Sequence, residues 1–343
     1  MSPAPAPRPS VVVASSVTGG RRRPRRVLAA SAGAALAGIL LTGCGLGTAG
    51  GYVPSGKLTG DLSGVDLSGA DLAVGSKNFT EQQILGKMAV VLLQSAGADV
   101  EDLTQIPGSN SMRQAALKGI VDVTWDYTGT GWITYLGNTD PLPDARAQYE
   151  ATRDADAANG QVWLEPGEVD DTYALATTRA FAEASGVDSI GDIAGLPEEQ
   201  QTFCLDAEFA SRNHGFEPML EVYGVPAVSE ARLRLMDLGA VYQATANGEC
   251  SFGEVFATDG RVPGLDLVVL EDEQEFFPKY NPAPVVGEEV LAEHPEIGTL
   301  LSTLNGRLDN QTMADLNARV DMDGEDPTDV AFDFLVSEGL ITE

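Results

Sequence analysis

From residue 71 onward, short apolar runs alternate with longer stretches in which apolar residues return every three or four positions. Residues 71–76 (DLAVGS) read as a strand. Residues 79–97 (FTEQQILGKMAVVLLQSAG) read as a helix: Ile84 and Met88 share a face, Thr80 and Gln83 have capping-box spacing, and Gly97 ends the pattern. A second helix is expected over 111–119, followed by a strand over 120–127. Further on, 172–178 and 201–206 read as strands, 232–248 as a helix, 250–258 as a strand, and 265–272 and 283–287 as two more strands. The C-terminal part is helical over 294–308, 310–322 and 326–339. Strands alternating with helices in this way predict an α/β fold with mostly parallel sheets. Two such units over about 270 residues predict two lobes, with ligands at the strand carboxyl ends facing a cleft.

The chain before residue 71 has a different character. Residues 21–26 (RRRPRR) are followed by an apolar run over 27–41, short for a spanning helix, and then by LTGC ending at Cys44. This resembles a bacterial lipobox and implies a signal peptide over 1–43, cleavage before Cys44 and lipid attachment to its sulfur. A plain signal peptide or a short membrane anchor is the alternative, and the paired arginines leave the general and twin-arginine export routes both open. Residues 44–71 are rich in Gly, Ser, Asp and Thr and read as a flexible tether, with DLSGV-DLSGA-DLAVG repeating every five residues. Three copies cannot bury a core by themselves.

Charge sharpens the picture. The formal net charge is −30, and residues 1–44 hold six arginines and no acid, so the remainder carries a net charge of −36. Such a surface repels nucleic acid and favours neutral or cationic partners. Beyond residue 44 only two cysteines remain, Cys204 and Cys250. Outside the cytoplasm such a pair is often bonded, and adjacent parallel strands would bring these two together. Two free buried thiols are the alternative.

Catalytic patterns are sparse. The two histidines, His214 and His294, sit in unlike contexts, and no HExxH, GxSxG, CxxC or complete phosphate-binding loop occurs. No metal ligand set or cofactor is expected. Aromatic residues instead recur where predicted strands meet loops: Tyr127 before TGT, Tyr173 after VDDT, Phe256 before ATDGR and Tyr280 in FFPKYNPAP. Rings converging from separate segments can enclose a quaternary ammonium, each desolvated contact contributing about 0.5–2 kcal/mol. Trp125 and Trp132, in the same aromatic stretch as Tyr127, carry no such assignment.

The segments VGSKNFTEQQILGKM, ALKGIVDVTWDYTGTGW, DDTYALATT, MDLGAVYQATANGE, FATDGR and FFPKYNPAPVV occur in one order across 72–343. Together they resemble the glycine betaine/carnitine/choline substrate-binding proteins of osmoprotectant ABC importers. The resemblance implies a two-lobed periplasmic-binding-protein-like fold (type II) with the cleft between lobes. Lobe one would comprise 72–172 and 275–343, and lobe two 173–274, with hinge crossings near 170–175 and 270–277. It places an aromatic cage at Tyr127, Tyr173, Phe256 and Tyr280, with Asp171 close to the cationic head. It also places polar groups for a ligand carboxylate at Lys77, Thr130 and Arg212. Phe256 departs from the family, which has tyrosine there: the ring face is kept and a phenolic oxygen is lost. Glycines 129 and 131 are expected to let the backbone turn toward the ligand.

The implied function is capture of a compatible solute, glycine betaine foremost, by a lipid-anchored protein on the extracytoplasmic face. Delivery would be to a membrane permease with its cytoplasmic ATPase, and no reaction would be catalysed. A choline or carnitine receptor of the same type, or a sensor domain that signals instead of delivering, are the alternatives.

Overall fold

The computed structural model describes residues 53–343. The predicted signal segment and the lipidation site Cys44 lie outside the described residues. The chain forms two lobes, each built on a five-stranded sheet.

The first sheet has the order β3 (Asp99–Ile106), β2 (Asp71–Lys77), β4 (Val123–Tyr127), β11 (Pro282–Gly287), β5 (Gln161–Trp163). The second has the order β10 (Leu267–Val269), β6 (Tyr173–Thr178), β9 (Phe252–Phe256), β7 (Phe203–Leu205), β8 (Leu233–Leu235). The expectation of mostly parallel sheets is corrected by both. β2 runs parallel to β3 and β4, but β11 is antiparallel to β4 and β5. Likewise β7 is parallel to β8 and β9, while β6 is antiparallel to β9 and β10. The chain passes between sheets twice, and β6 and β11 are the strands it enters immediately afterwards. Both therefore start at the cleft, where β4 and β9 end.

The first lobe's core forms around α1 (Thr80–Ser95), a helix buried almost all round from Glu81 to Leu93. It packs on β2 and β3 on one side and on the helices Asn310–Asp321 and Pro327–Ser337 on the other. An all-round apolar helix is what such a sandwiched position requires. Gly97, at φ +98°, turns the chain out after it. The capping box does not form. Thr80 is the first helical residue and its hydroxyl donates to Asp321 Oδ1 at 2.7 Å, while Gln83 Nε2 donates to the carbonyl of Asn78.

Three more expectations change. Within residues 53–71 the chain is part of the body, not a tether: β1 (Lys57–Leu58) pairs antiparallel with β12 (Ile341–Thr342), and Leu62, Leu67 and Leu72, one from each five-residue repeat, are buried. The repeat places one leucine per copy against a core that the rest of the chain supplies. The helix expected over 232–248 divides into the edge strand β8 and a helix Leu238–Ala246, with Asp237 at its N-cap. β3 was not legible, because its inward face carries Asp102 and Thr104 beside Val100. Asp102 is tolerated there because Lys87 Nζ lies 2.6 Å away and Thr104 donates to it through both its amide and its hydroxyl.

In the second lobe Cys204 of β7 and Cys250, just before β9, form a disulfide with Cα atoms 5.7 Å apart. Parallel pairing of β7 with β9 brings the two segments side by side. Among the described residues no helix is long and apolar enough to cross a membrane.

Candidate functional site

The antiparallel pairings set the site. Tyr173, at the start of β6, lies in register with Phe256, at the end of β9. Tyr127, at the end of β4, lies in register with Pro282, two residues after Tyr280. Four aromatic residues distant in sequence thus reach the cleft from two sheets. The cavity there has a volume of about 520 Å³, and its wall includes all eight residues singled out from the sequence: Lys77, Tyr127, Thr130, Asp171, Tyr173, Arg212, Phe256 and Tyr280.

The Tyr173 ring meets Phe256 edge-on at 4.9 Å and Tyr280 edge-on at 5.3 Å, and stacks on Phe209 at 5.0 Å. A fifth cavity ring was missed. Phe79 lies 5.4 Å from Phe256 and 6.0 Å from Tyr127, and links the rings of the two lobes. A signal for it was present: Phe79 occupies the N-cap of α1, where a phenylalanine cannot satisfy the free amides, so its side chain is placed there for another reason.

The glycines of the TGTG turn act differently from the expectation. Neither has positive φ. A Cβ on Gly129 would lie 2.9 Å from the Lys279 carbonyl and 2.9 Å from the Tyr280 ring, and one on Gly131 would lie 2.8 Å from the Trp163 ring. Close approach, not backbone freedom, requires them, and Gly129 lets β4's end pack directly beneath Tyr280. Trp125 belongs to the first lobe's core, with its indole donating to Asn305 Oδ1, and Trp132 donates to the Asp140 carbonyl; neither lines the cavity.

The cations are already engaged. Lys77 Nζ lies 2.9 Å from Asp126 Oδ1, both side chains being buried, and 4.9 Å above the Tyr127 ring. Asp126 also accepts from the Tyr127 amide and, at 2.6 Å, from the Tyr135 hydroxyl. Lys77 therefore does not await a ligand anion for charge balance, and Asp126 went unrecognised in the sequence. The Arg212 guanidinium lies 5.2 Å from the Tyr173 ring centre and 5.5 Å from that of Tyr280. It donates to the Tyr173 hydroxyl and Glu208 in its own lobe, and to Thr130 and Thr134 across the cleft. Its Nε and the Tyr280 hydroxyl are buried without a partner.

Carboxylates outnumber cations on the cavity wall: Asp171, Asp206, Glu208, Asp237 and Asp321 face Lys77, Arg212 and Arg261. Burial pushes the Asp171 carboxyl well above its ordinary range, and the charge of Glu81 adds to the shift. Burial also works upward on Glu208, but Lys77, Arg212 and the hydrogen bonds of Ser109 outweigh it and hold this carboxyl below its ordinary value. Ser109 opens α2 (Ser109–Leu117), and Glu208 accepts from both its amide and its hydroxyl, so a second-lobe carboxylate caps a first-lobe helix.

Two α/β lobes closing on a cavity lined by rings and carboxylates define the class: a type II solute-binding protein. Residues 70–337 match the family described as the substrate binding domain of the ABC-type glycine betaine transport system. The chain belongs to that family. It is 41% identical over 280 residues to the glycine-betaine-binding protein of Pseudomonas aeruginosa, covering 79% of this chain and 89% of that one. Its identity to the glycine betaine-binding protein YehZ of Escherichia coli is 31% over 274 residues, covering 78% and 90%. A crystal structure of a glycine betaine/carnitine/choline ABC transporter protein is similar with a TM-score of 0.64 at 25% identity, covering 78% of this chain and 98% of that one.

Proposed function

We propose that the protein captures glycine betaine outside the cytoplasmic membrane and passes it to the permease of an ABC importer, without catalysing a reaction. The observation that carries the reading is the set of five rings, Phe79, Tyr127, Tyr173, Phe256 and Tyr280, gathered from both lobes in one acidic cavity. The trimethylammonium would sit among Phe79, Tyr127 and Phe256 beside Asp171, and closure of the lobes would desolvate it. The carboxylate would lie toward Arg212, whose unpartnered Nε offers a charge-assisted hydrogen bond. Lys77, satisfied by Asp126, orients Tyr127 instead of binding the anion. Micromolar affinity corresponds to about −8 kcal/mol, within reach of several cation–π contacts and one paired carboxylate.

The two chain crossings, leading into β6 and β11, would serve as the hinge, with lobe two spanning about 173–274. Lipid on Cys44 would hold the protein at the membrane; a Cys44→Ala variant expressed in its own host should appear in the soluble fraction, and equal membrane retention would remove the anchor from the reading. Calorimetric titration of the purified protein with glycine betaine, proline betaine, carnitine, choline and ectoine tests the ligand. Glycine betaine is expected to bind more tightly than choline, which has the same head but no carboxylate. Choline binding of equal strength would reassign the ligand, and no binding by any quaternary ammonium would remove the function.

A further inference from the structure

Behind the Phe79–Phe256 wall lies a second acidic group that the cage does not use. Glu81, on the first turn of α1, is fully buried and does not line the main cavity. Its Oε1 accepts from the Tyr127 hydroxyl at 2.8 Å, and its Oε2 lies 2.6 Å from the Thr258 hydroxyl. The same hydroxyl is within hydrogen-bond distance of Asp171 Oδ1, which also accepts from the Thr258 amide at 3.3 Å. A threonine hydroxyl has one hydrogen. It can donate to one of these carboxylates only, and with the other ionised its oxygen would face a second anion at contact distance.

The surroundings supply no other counter-charge. Asn317, from the helix Asn310–Asp321, offers Glu81 Oε2 a neutral amide at 3.5 Å. The cation of this corner, Arg261, is held on both oxygens of Asp259 and lies 3.5 Å from Asp321, which also accepts from Thr80. Among the described residues no ion pair reaches Glu81 or Asp171. Two adjacent buried carboxylates without a cation cannot both ionise at small cost.

We propose that Glu81 and Asp171 hold one proton between them through the Thr258 hydroxyl in the ligand-free protein, and that a quaternary ammonium entering the cavity expels it. The ligand half rests on the function proposed above. When the ligand's fixed charge arrives beside Asp171, the shared carboxylic acid O–H breaks, the proton passes to solvent, and the cavity corner becomes an anion pair facing a cation. Glu81 is thus a positioning residue, acting on the ligand through Thr258 and Asp171. Burial raises both carboxyls, and the charge of Glu81 on Asp171 and that of Asp259 on both act in the same direction. The sign follows. A group raised in the free protein and lowered by the ligand makes binding strengthen as pH rises, up to the free protein's upper titration point, and level off above it.

Two measurements on the full chain test this. Carbon-13 titration of side-chain carboxyls in the ligand-free protein should show one acid of the pair ionising well above the ordinary range of about 3.9–4.3. That titration should move down in Glu81→Gln, which removes the Glu81 charge and whose amide can donate to Thr258, leaving burial and the Asp259 charge to raise Asp171. Calorimetry with glycine betaine in two buffers of different ionisation enthalpy should show up to one proton released per ligand. Affinity should climb by up to about tenfold per pH unit below the upper titration point. Glu81→Gln should bind with a weaker pH dependence and less proton release, whereas Thr258→Val, which removes a hydroxyl that lowers both carboxyls, should move the upper titration point higher. Ordinary titration of both acids, or proton-silent and pH-independent binding by the unmodified protein, would overturn the proposal. If no quaternary ammonium binds, the ligand half falls with the proposed function, while the carboxyl titration still decides the shared proton.

Discussion

At the scale of the residue, one side chain often answers to two neighbours. Tyr173 offers its ring to the cavity, stacks on Phe209 and accepts from Arg212. Tyr173→Ala is expected to weaken glycine betaine binding by about 1–2 kcal/mol through loss of a desolvated ring face. Tyr173→Phe, which keeps the ring, should lose less; a titration in which both variants lose equally would assign the effect to the hydroxyl and Arg212. Lys77 illustrates the reverse. Read from sequence it is a cation waiting for a carboxylate, but in the fold it neutralises Asp126. Lys77→Gln would leave Asp126 buried without its partner, so the expected loss is in stability, about 3–5 kcal/mol by urea unfolding. Unchanged stability with selectively weakened betaine binding would return Lys77 to the ligand.

At the scale of the element, sequence periodicity identified most of the strands and helices that carry the site, and failed where an element's inward face is polar or its length short. β2, β4, β6, β9, β11 and α1 were legible from apolar patterning. β3 was not, because Asp102 and Thr104 occupy inward positions that only Lys87, from α1, makes tolerable. β8 was absorbed into a helix because its alternation is short and runs directly into the helix at Leu238, and its pairing with β7 sets it apart as a strand. The cystine joining β7 to the turn before β9 closes 46 residues, and a loop of that size constrains the unfolded chain by about 4 kcal/mol in the entropic account. Urea unfolding with and without reductant should show a difference of about 2–4 kcal/mol; coincident curves would mean that the bond contributes nothing.

At the scale of the whole molecule, polar side chains from several segments tie the lobes across the cleft, Arg261 to Asp321 and Asn317 to the Thr258 carbonyl among them. Glu208 takes two hydrogen bonds from Ser109, Arg212 reaches Thr130 and Thr134, and Thr258 reaches Glu81. Glu208→Gln is expected to cost about 1.5–3 kcal/mol, the range for hydrogen bonds to a charged group. The Glu208 carboxyl is depressed in the fold, so its contribution is fully present above the unfolded value near 4.5 and disappears as pH falls through the lower folded value. Unfolding midpoints between pH 5 and 3 should therefore fall more steeply for the unmodified protein than for Glu208→Gln. Parallel profiles would show that this carboxylate does not link the lobes.

Sequence alone reached the α/β class and the family and singled out eight residues that lie on the cavity wall, because periodic burial and ordered motifs are local properties that survive without coordinates. The three-dimensional structure alone decided which charges are free, because pairing depends on partners distant in the chain. Asp126 claims Lys77, Arg212 crosses the cleft, and Thr258 stands between Glu81 and Asp171. It also decided why two glycines follow Tyr127 so closely, since the side chains they make room for, Tyr280 and Trp163, arrive from other strands and loops.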